Sequence, residues 1–194
     1  MRKKPGRLLF SDPETKFIRV LKFFIKFNLF AIPLYVILYE GWTLPELQKA
    51  IADFTMYALT SLGLNPTLDG LIISIPVRNG DWAAVINWDC TGWKSMLAFF
   101  ALIMATDYPN KRKMLGLLLL PVIFAVNLAR IIFMFLWVHW FDLANYQLVH
   151  SVVWSWGLIL TILTLWLIWM KWDFTKPLKK KVPAERSGRK KRRR

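Results

Sequence analysis

Apolar residues gather in four long runs separated by short polar intervals, and that spacing predicts a bundle of membrane-crossing helices. The first run covers residues 17–39 and carries Lys22 and Lys26 early. Both lysines can snorkel to an interface, leaving 27–39 and its flanks to cross. The second run, 91–108, has 18 residues, about 27 Å at ~1.5 Å per residue, enough to cross the hydrocarbon. The third, 114–137, contains Pro121, which predicts a kink. The fourth covers 149–170.

Two segments follow other periods. In 44–62, Leu47, Ile51, Phe54, Ala58 and Leu62 recur at helical spacing, while Glu46, Gln48, Lys49 and Asp53 fill a polar face. That pattern predicts an amphipathic helix lying at or dipping into the outer interface. Its apolar second half could also span, but a crossing there would put Lys111–Lys113 outside. Residues 71–75 and 82–86 have strand character and flank 76–81, where Asn79-Gly80 is a turn signal. A small β-hairpin therefore leads into Cys90.

Charge gives the bundle its orientation. Of 27 Lys and Arg, eight lie in 1–26 and twelve in 171–194, with a further cluster at Lys111-Arg112-Lys113. Segment 40–92 instead carries two basic and six acidic residues. By the positive-inside rule both termini are expected in the cytoplasm, with 40–92 and 142–149 outside. Trp137, Trp140, Tyr146 and Trp154 fit an outer aromatic belt. No small-residue cleavage site follows the first run, so it reads as an uncleaved anchor. The tail 189–194 resembles a nucleic-acid patch in isolation, but beside a membrane helix it reads as a cytoplasmic anchor touching anionic lipid, with no nucleic-acid partner. The expected fold is an all-α polytopic membrane protein in the plasma membrane. It has about four transmembrane helices, an outer interfacial helix and a small extracytoplasmic β-hairpin. Residues 1–16 form a basic cytoplasmic N-terminus, 17–171 the membrane catalytic domain, and 172–194 a basic, disordered cytoplasmic tail. A single cysteine excludes an internal disulfide, and no His or Glu cluster has metal-ligand spacing, so no metal or cofactor is expected.

The remaining polar residues carry the chemistry. Cys90 sits where polar sequence gives way to the second run, among Asp89, Thr91 and Gly92, residues that open helices. A thiol at a helix N-terminus is biased towards thiolate, and Lys94 is near enough along a helix to add its charge. Arg130 is the only charged residue of the third run. An arginine at membrane depth needs a partner or a water-filled cavity and marks a functional site by default. It lies 17 residues beyond Lys113, so it rises roughly 25 Å to the outer leaflet. Asn127, one turn earlier, can orient it. His150 opens the fourth run at the same edge, whereas His139 lies about 13 Å beyond Arg130 along a continuous helix and reads as interfacial. Three helices thus bring a thiol, a guanidinium and an imidazole to one depth. An imidazole can activate the thiol and return its proton to a leaving amine, while a guanidinium stabilises an oxyanion or holds a carboxylate.

Cys90-Thr91-Gly92 heading one helix, Asn127-Leu128-Ala129-Arg130 in a later one and His150 heading the last resemble the exosortase/archaeosortase family over about residues 45–165. That family comprises polytopic cysteine transpeptidases of bacteria and archaea, and Cys90, Arg130 and His150 match its Cys–Arg–His set. The resemblance implies recognition of a C-terminal sorting signal on exported proteins: a short motif, a transmembrane helix and a basic cluster. It also implies cleavage through a thioacyl-enzyme at the extracytoplasmic face and transfer to a membrane or surface acceptor. Many members have more than four spans, and some archaeal members carry arginine where this chain keeps histidine. The alternative is a non-catalytic membrane subunit or scaffold, with Cys90 as an inert packing residue and Arg130 in a structural ion pair. A transporter fits less well, because four spans leave little room for a central pathway.

Overall fold

The helices begin and end where the proline and glycine pattern dictates. A computed structural model describes residues 13–78, 80–141, 143 and 146–171, without the side chains of 13–15, 154 and 155. The expectations for the N-terminal segment before residue 13, for the tail 172–194, for Asn79 and Asp142, and for the Trp154 side chain lie outside the described residues. The first apolar run forms α1 (Pro13–Phe30) and α2 (Ile32–Glu40), which meet at Ala31 with a bend of 40°. Pro33 lies in the first turn of α2, and its ring and missing N–H explain the break. Helix α2 ends at Gly41, whose φ of 66° supplies a left-handed cap.

Helix α3 (Pro45–Ser61) is amphipathic as expected, but its buried face is rotated from the predicted stripe. Gln48, Ile51, Ala52, Thr55 and Leu59 are buried, while Phe54 and Leu62 are exposed. Small residues at 52 and 55 allow close packing, and Gln48 Nε2 donates to the Ile86 carbonyl at 3.3 Å. The hairpin is larger than expected. Strands β1 (Thr67–Asp69), β2 (Ile72–Val77) and β3 (Gly80–Val85) form an antiparallel sheet in the order β1-β2-β3. Pro76 pairs with Asp81 and Val77 with Gly80, so the ladder runs through positions expected to be loop. Alternation along β2 buries Ile73 and Ile75 in one core with Ile51, Leu59, Ile131 and Phe135.

After a 3-10 turn at Trp88–Thr91, α4 (Trp93–Ala105) leads to α5 (Asn110–Leu117) and α6 (Leu120–Phe141). The basic cluster at 111–113 is therefore helical, and only the short stretch before Asn110 is irregular. The ladder is interrupted just before Pro121, as that residue's geometry requires. The last helix runs from α7 (Tyr146–Ser151) through a π-helical segment (Val152–Gly157) into α8 (Leu158–Lys171). A second core joins α4, α6 and α8 around Phe99, Ile103, Ile123, Ile162 and Trp169.

Among the described residues Asn110–Phe141 alone is long and apolar enough to cross a bilayer, and the bent pair Lys16–Phe30 and Ile32–Glu40 passes the same test when taken as one span. Trp93–Ala105 and Leu158–Lys171 are apolar but shorter, because a 3-10 turn precedes one and a π-helical segment the other. Phe17, Leu21, Phe24, Ile25 and Leu29 leave α1 with a large exposed apolar surface. Lipid, unlike water, accepts such a surface without penalty.

Candidate active site

The Cys90 turn is held from both sides. On its own strand side, Asn87 caps it: the Asn87 Oδ1 accepts from the Cys90 amide at 3.1 Å and from the Cys90 thiol at 3.1 Å. Thr91 closes the turn by donating to the Trp88 carbonyl at 2.9 Å. On the α6 side, Asn127 Nδ2 donates to the Cys90 carbonyl at 2.7 Å, and its Oδ1 accepts from Arg130 Nη2 at 2.9 Å. One fully buried amide thus links the backbone of the cysteine to the guanidinium. This close approach requires glycine next to the turn. Gly92 has a φ of 76°, and a Cβ there would lie 2.8 Å from Asn127 Cγ.

Cys90 faces a cavity of about 260 Å³ whose walls include Trp82, Ile131, Phe135, Tyr146 and His150. His150 lies one turn beyond Tyr146 on α7, their ring centroids 5.5 Å apart, and Trp82 meets Tyr146 edge-on at 5.4 Å. Arg130 borders a second cavity of about 190 Å³ with Gly92, Lys94, Ser95 and Leu158. Asp89 lines both cavities. The Arg130 charge is close enough to act on Cys90 and on His150. The thiol and imidazole therefore share one chamber, with the guanidinium behind the turn that separates it from the next.

Two expectations change. Cys90 sits on the 3-10 turn rather than in the first turn of α4, and its amide is already bonded to Asn87. It is 7% exposed, and burial pushes its thiol up from the ordinary range. The Asn87 backbone hydrogen bond and the Arg130 charge pull in the opposite direction, while Asp89 adds to the rise. Lys94 does not turn towards the thiol; its ammonium pairs with Asp89 at 2.8 Å. Partial neutralisation of Asp89 is its electrostatic effect on the site. His139 is bound elsewhere, its Nδ1 lying 3.1 Å from the Pro76 carbonyl.

Sequence reasoning passed over Asn87, although an asparagine three residues before the cysteine is a turn-capping signal. It also assigned Tyr146 to the aromatic belt, whereas the residue lines the Cys90 cavity.

A family model described as transmembrane exosortase matches residues 14–168, from the start of α1 almost to the end of α8. No curated protein and no solved structure matches the chain. The matched span contains the Cys90 turn, Asn127, Arg130 and His150, and the chain belongs to the transmembrane exosortase family.

Proposed function

We propose that the chain is a membrane-embedded cysteine transpeptidase acting on exported proteins that end in a short motif, a transmembrane helix and a basic cluster. The observation that carries this reading is the Cys90 turn itself: a thiol facing a cavity shared with His150, tied through Asn127 to Arg130. In the reaction, the His150 imidazole takes the Cys90 proton and the sulfur attacks the scissile carbonyl. The Arg130 charge, acting from behind the turn, offsets the negative charge that develops there, and His150 returns the proton to the departing amine. The C–N bond is replaced by a thioester, which a membrane or surface acceptor, or water, then opens. Trp82, Phe135 and Tyr146 line the cavity in which the residues flanking the cleaved bond would sit.

The topology proposed with it has four spans, both termini in the cytoplasm and the Cys90 chamber at the extracytoplasmic face of the plasma membrane. Basic residues at the α4–α5 end and their scarcity around the sheet support that orientation. The bonded, buried thiol favours a second reading, a non-catalytic scaffold with an inert Cys90 and a structural Arg130.

Processing of a co-expressed cognate precursor separates the two. Cys90→Ala, Cys90→Ser and His150→Ala should leave the precursor uncleaved in membranes that contain normal amounts of enzyme. Arg130→Lys should be severely impaired, since an ammonium lacks the planar fork. His139→Ala should process normally. Full processing by a well-expressed Cys90→Ala variant would leave the scaffold reading standing.

A further inference from the structure

A second site lies at the far end of α4 from the Cys90 turn. There α1, the stretch following α4, and α8 enclose a cavity of about 470 Å³. Its interior is apolar, with Val20 and Phe23 from α1, Ala105 from α4, and Trp166 and Met170 from α8. Phe23 and Trp166 meet along its wall, their ring centroids 5.8 Å apart.

The mouth is cationic. Arg19 lines it directly. Lys26 pairs with Asp107, and Lys22 and Lys113 are near enough to act on the same carboxylate. Arg112 lies 3.9 Å from the Tyr108 ring centroid and donates to the Met170 carbonyl at 2.6 Å. Among the described residues Asp107 is the carboxylate at this mouth, and Lys26 already neutralises it. The cations therefore leave a net positive rim around an apolar chamber.

We propose that this cavity binds one anionic phospholipid of the surrounding bilayer, its phosphate at Arg19 and Lys22 and an acyl chain against Phe23, Trp166 and Met170. An amphiphile with a negative head satisfies both the rim and the interior, whereas a free anion would leave the apolar interior without a partner. The sequence beyond Lys171 is strongly basic and so offers no charge complement to the same rim. A second copy of the chain would bring like charges together. The α1 wall adjoins exposed Phe17, Leu21 and Phe24, a surface suited to lipid. The proposal needs only the membrane setting of the family and is independent of the peptidase reading.

Tryptophan fluorescence of the full chain in phosphatidylcholine vesicles tests it, with a minor fraction of brominated phosphatidylglycerol or, in parallel, brominated phosphatidylcholine. Brominated phosphatidylglycerol should quench more strongly, and Trp166→Phe should remove that excess. Arg19→Gln should weaken the apparent lipid affinity about fivefold, the effect of one cation near a membrane surface. Arg19→Lys should retain the excess, which separates loss of charge from loss of fold. Soluble glycerol phosphate in large excess should not relieve the quenching. Equal quenching by both lipids, an excess that survives Trp166→Phe, an apparent affinity unchanged in Arg19→Gln, or loss of the excess in Arg19→Lys would overturn the proposal. Relief by glycerol phosphate would assign the site to a soluble phosphate instead, and cross-linking of two copies through this face would assign it to a dimer; either overturns it.

Discussion

Gly92→Ala should be among the most damaging small substitutions in the chain, and its cost should depend on Asn127. Two penalties combine. The left-handed backbone at φ 76° costs an L-residue roughly 1–2 kcal/mol. The new methyl would lie 2.8 Å from Asn127 Cγ and 3.0 Å from its Nδ2, an overpacking of about 1–3 kcal/mol. Asn127 cannot retreat without giving up its 2.7 Å bond to the Cys90 carbonyl and its 2.9 Å bond from Arg130. The sum is roughly 2–5 kcal/mol. Asn127→Ala alone loses both hydrogen bonds, one from a charged donor, for about 2–4 kcal/mol. In that background Cγ and Nδ2 are gone and the Cβ of residue 127 remains, 3.1 Å from the new methyl, so adding Gly92→Ala should cost the backbone share of roughly 1–2 kcal/mol and only a small part of the overpacking. The four proteins, unfolded by sodium dodecyl sulfate from mixed micelles, form a double-mutant cycle with a coupling of about 1–3 kcal/mol. Equal costs of Gly92→Ala with and without Asn127 would refute this account of the junction.

Alkylation of Cys90 in the folded protein should keep accelerating as pH rises beyond the range of a free thiol, because burial pushes that thiol up. Arg130→Gln should move the curve higher still, and a wild-type curve at or below that of free cysteine would contradict the geometry. The same shift affects stability. A thiol that ionises higher in the fold than in the unfolded chain contributes fully below the ordinary thiol pKa, and that contribution is lost as pH rises past it. At the other end of the bundle, Arg112 stacks on Tyr108 and donates to the Trp169 and Met170 carbonyls. Arg112→Ala should cost about 2 kcal/mol in the same micelle assay and leave Cys90 alkylation unchanged.

Hydropathy and charge patterning made the helical segments legible, because an apolar face and its flanking lysines are written residue by residue. The amphipathic α3 was visible too, but which of its faces is buried depends on how it meets α6 and the sheet. No single-segment pattern contains that information. Strand β1 has three residues and forms only by pairing with β2, so its signal is tertiary. The bend at Ala31 was readable from Pro33, whereas the π-helical segment after His150 has no comparable marker. At the site, the identities of Cys90, Asn127, Arg130 and His150 stood out as polar residues in apolar surroundings. Apart from the Asn127–Arg130 pairing, their bonding did not. Lys94 lies four residues from Cys90 and five from Asp89, and only the fold decides that Asp89 takes it. The thiol's environment was misjudged for a related reason: a helix start implies free amides, but Asn87 already occupies the one at Cys90.

The claim that Cys90 is a nucleophile is tested most directly by looking for its acyl adduct. Wild-type enzyme co-expressed with a cognate precursor would be digested and the Cys90 peptide examined by mass spectrometry, with His150→Ala and Cys90→Ser as the uncleaving controls. The account predicts a substrate-derived acyl group on Cys90 that neutral hydroxylamine releases, as it does a thioester, and that is absent from Cys90→Ser membranes. Efficient precursor cleavage with an unmodified Cys90, undiminished in Cys90→Ser, would contradict it.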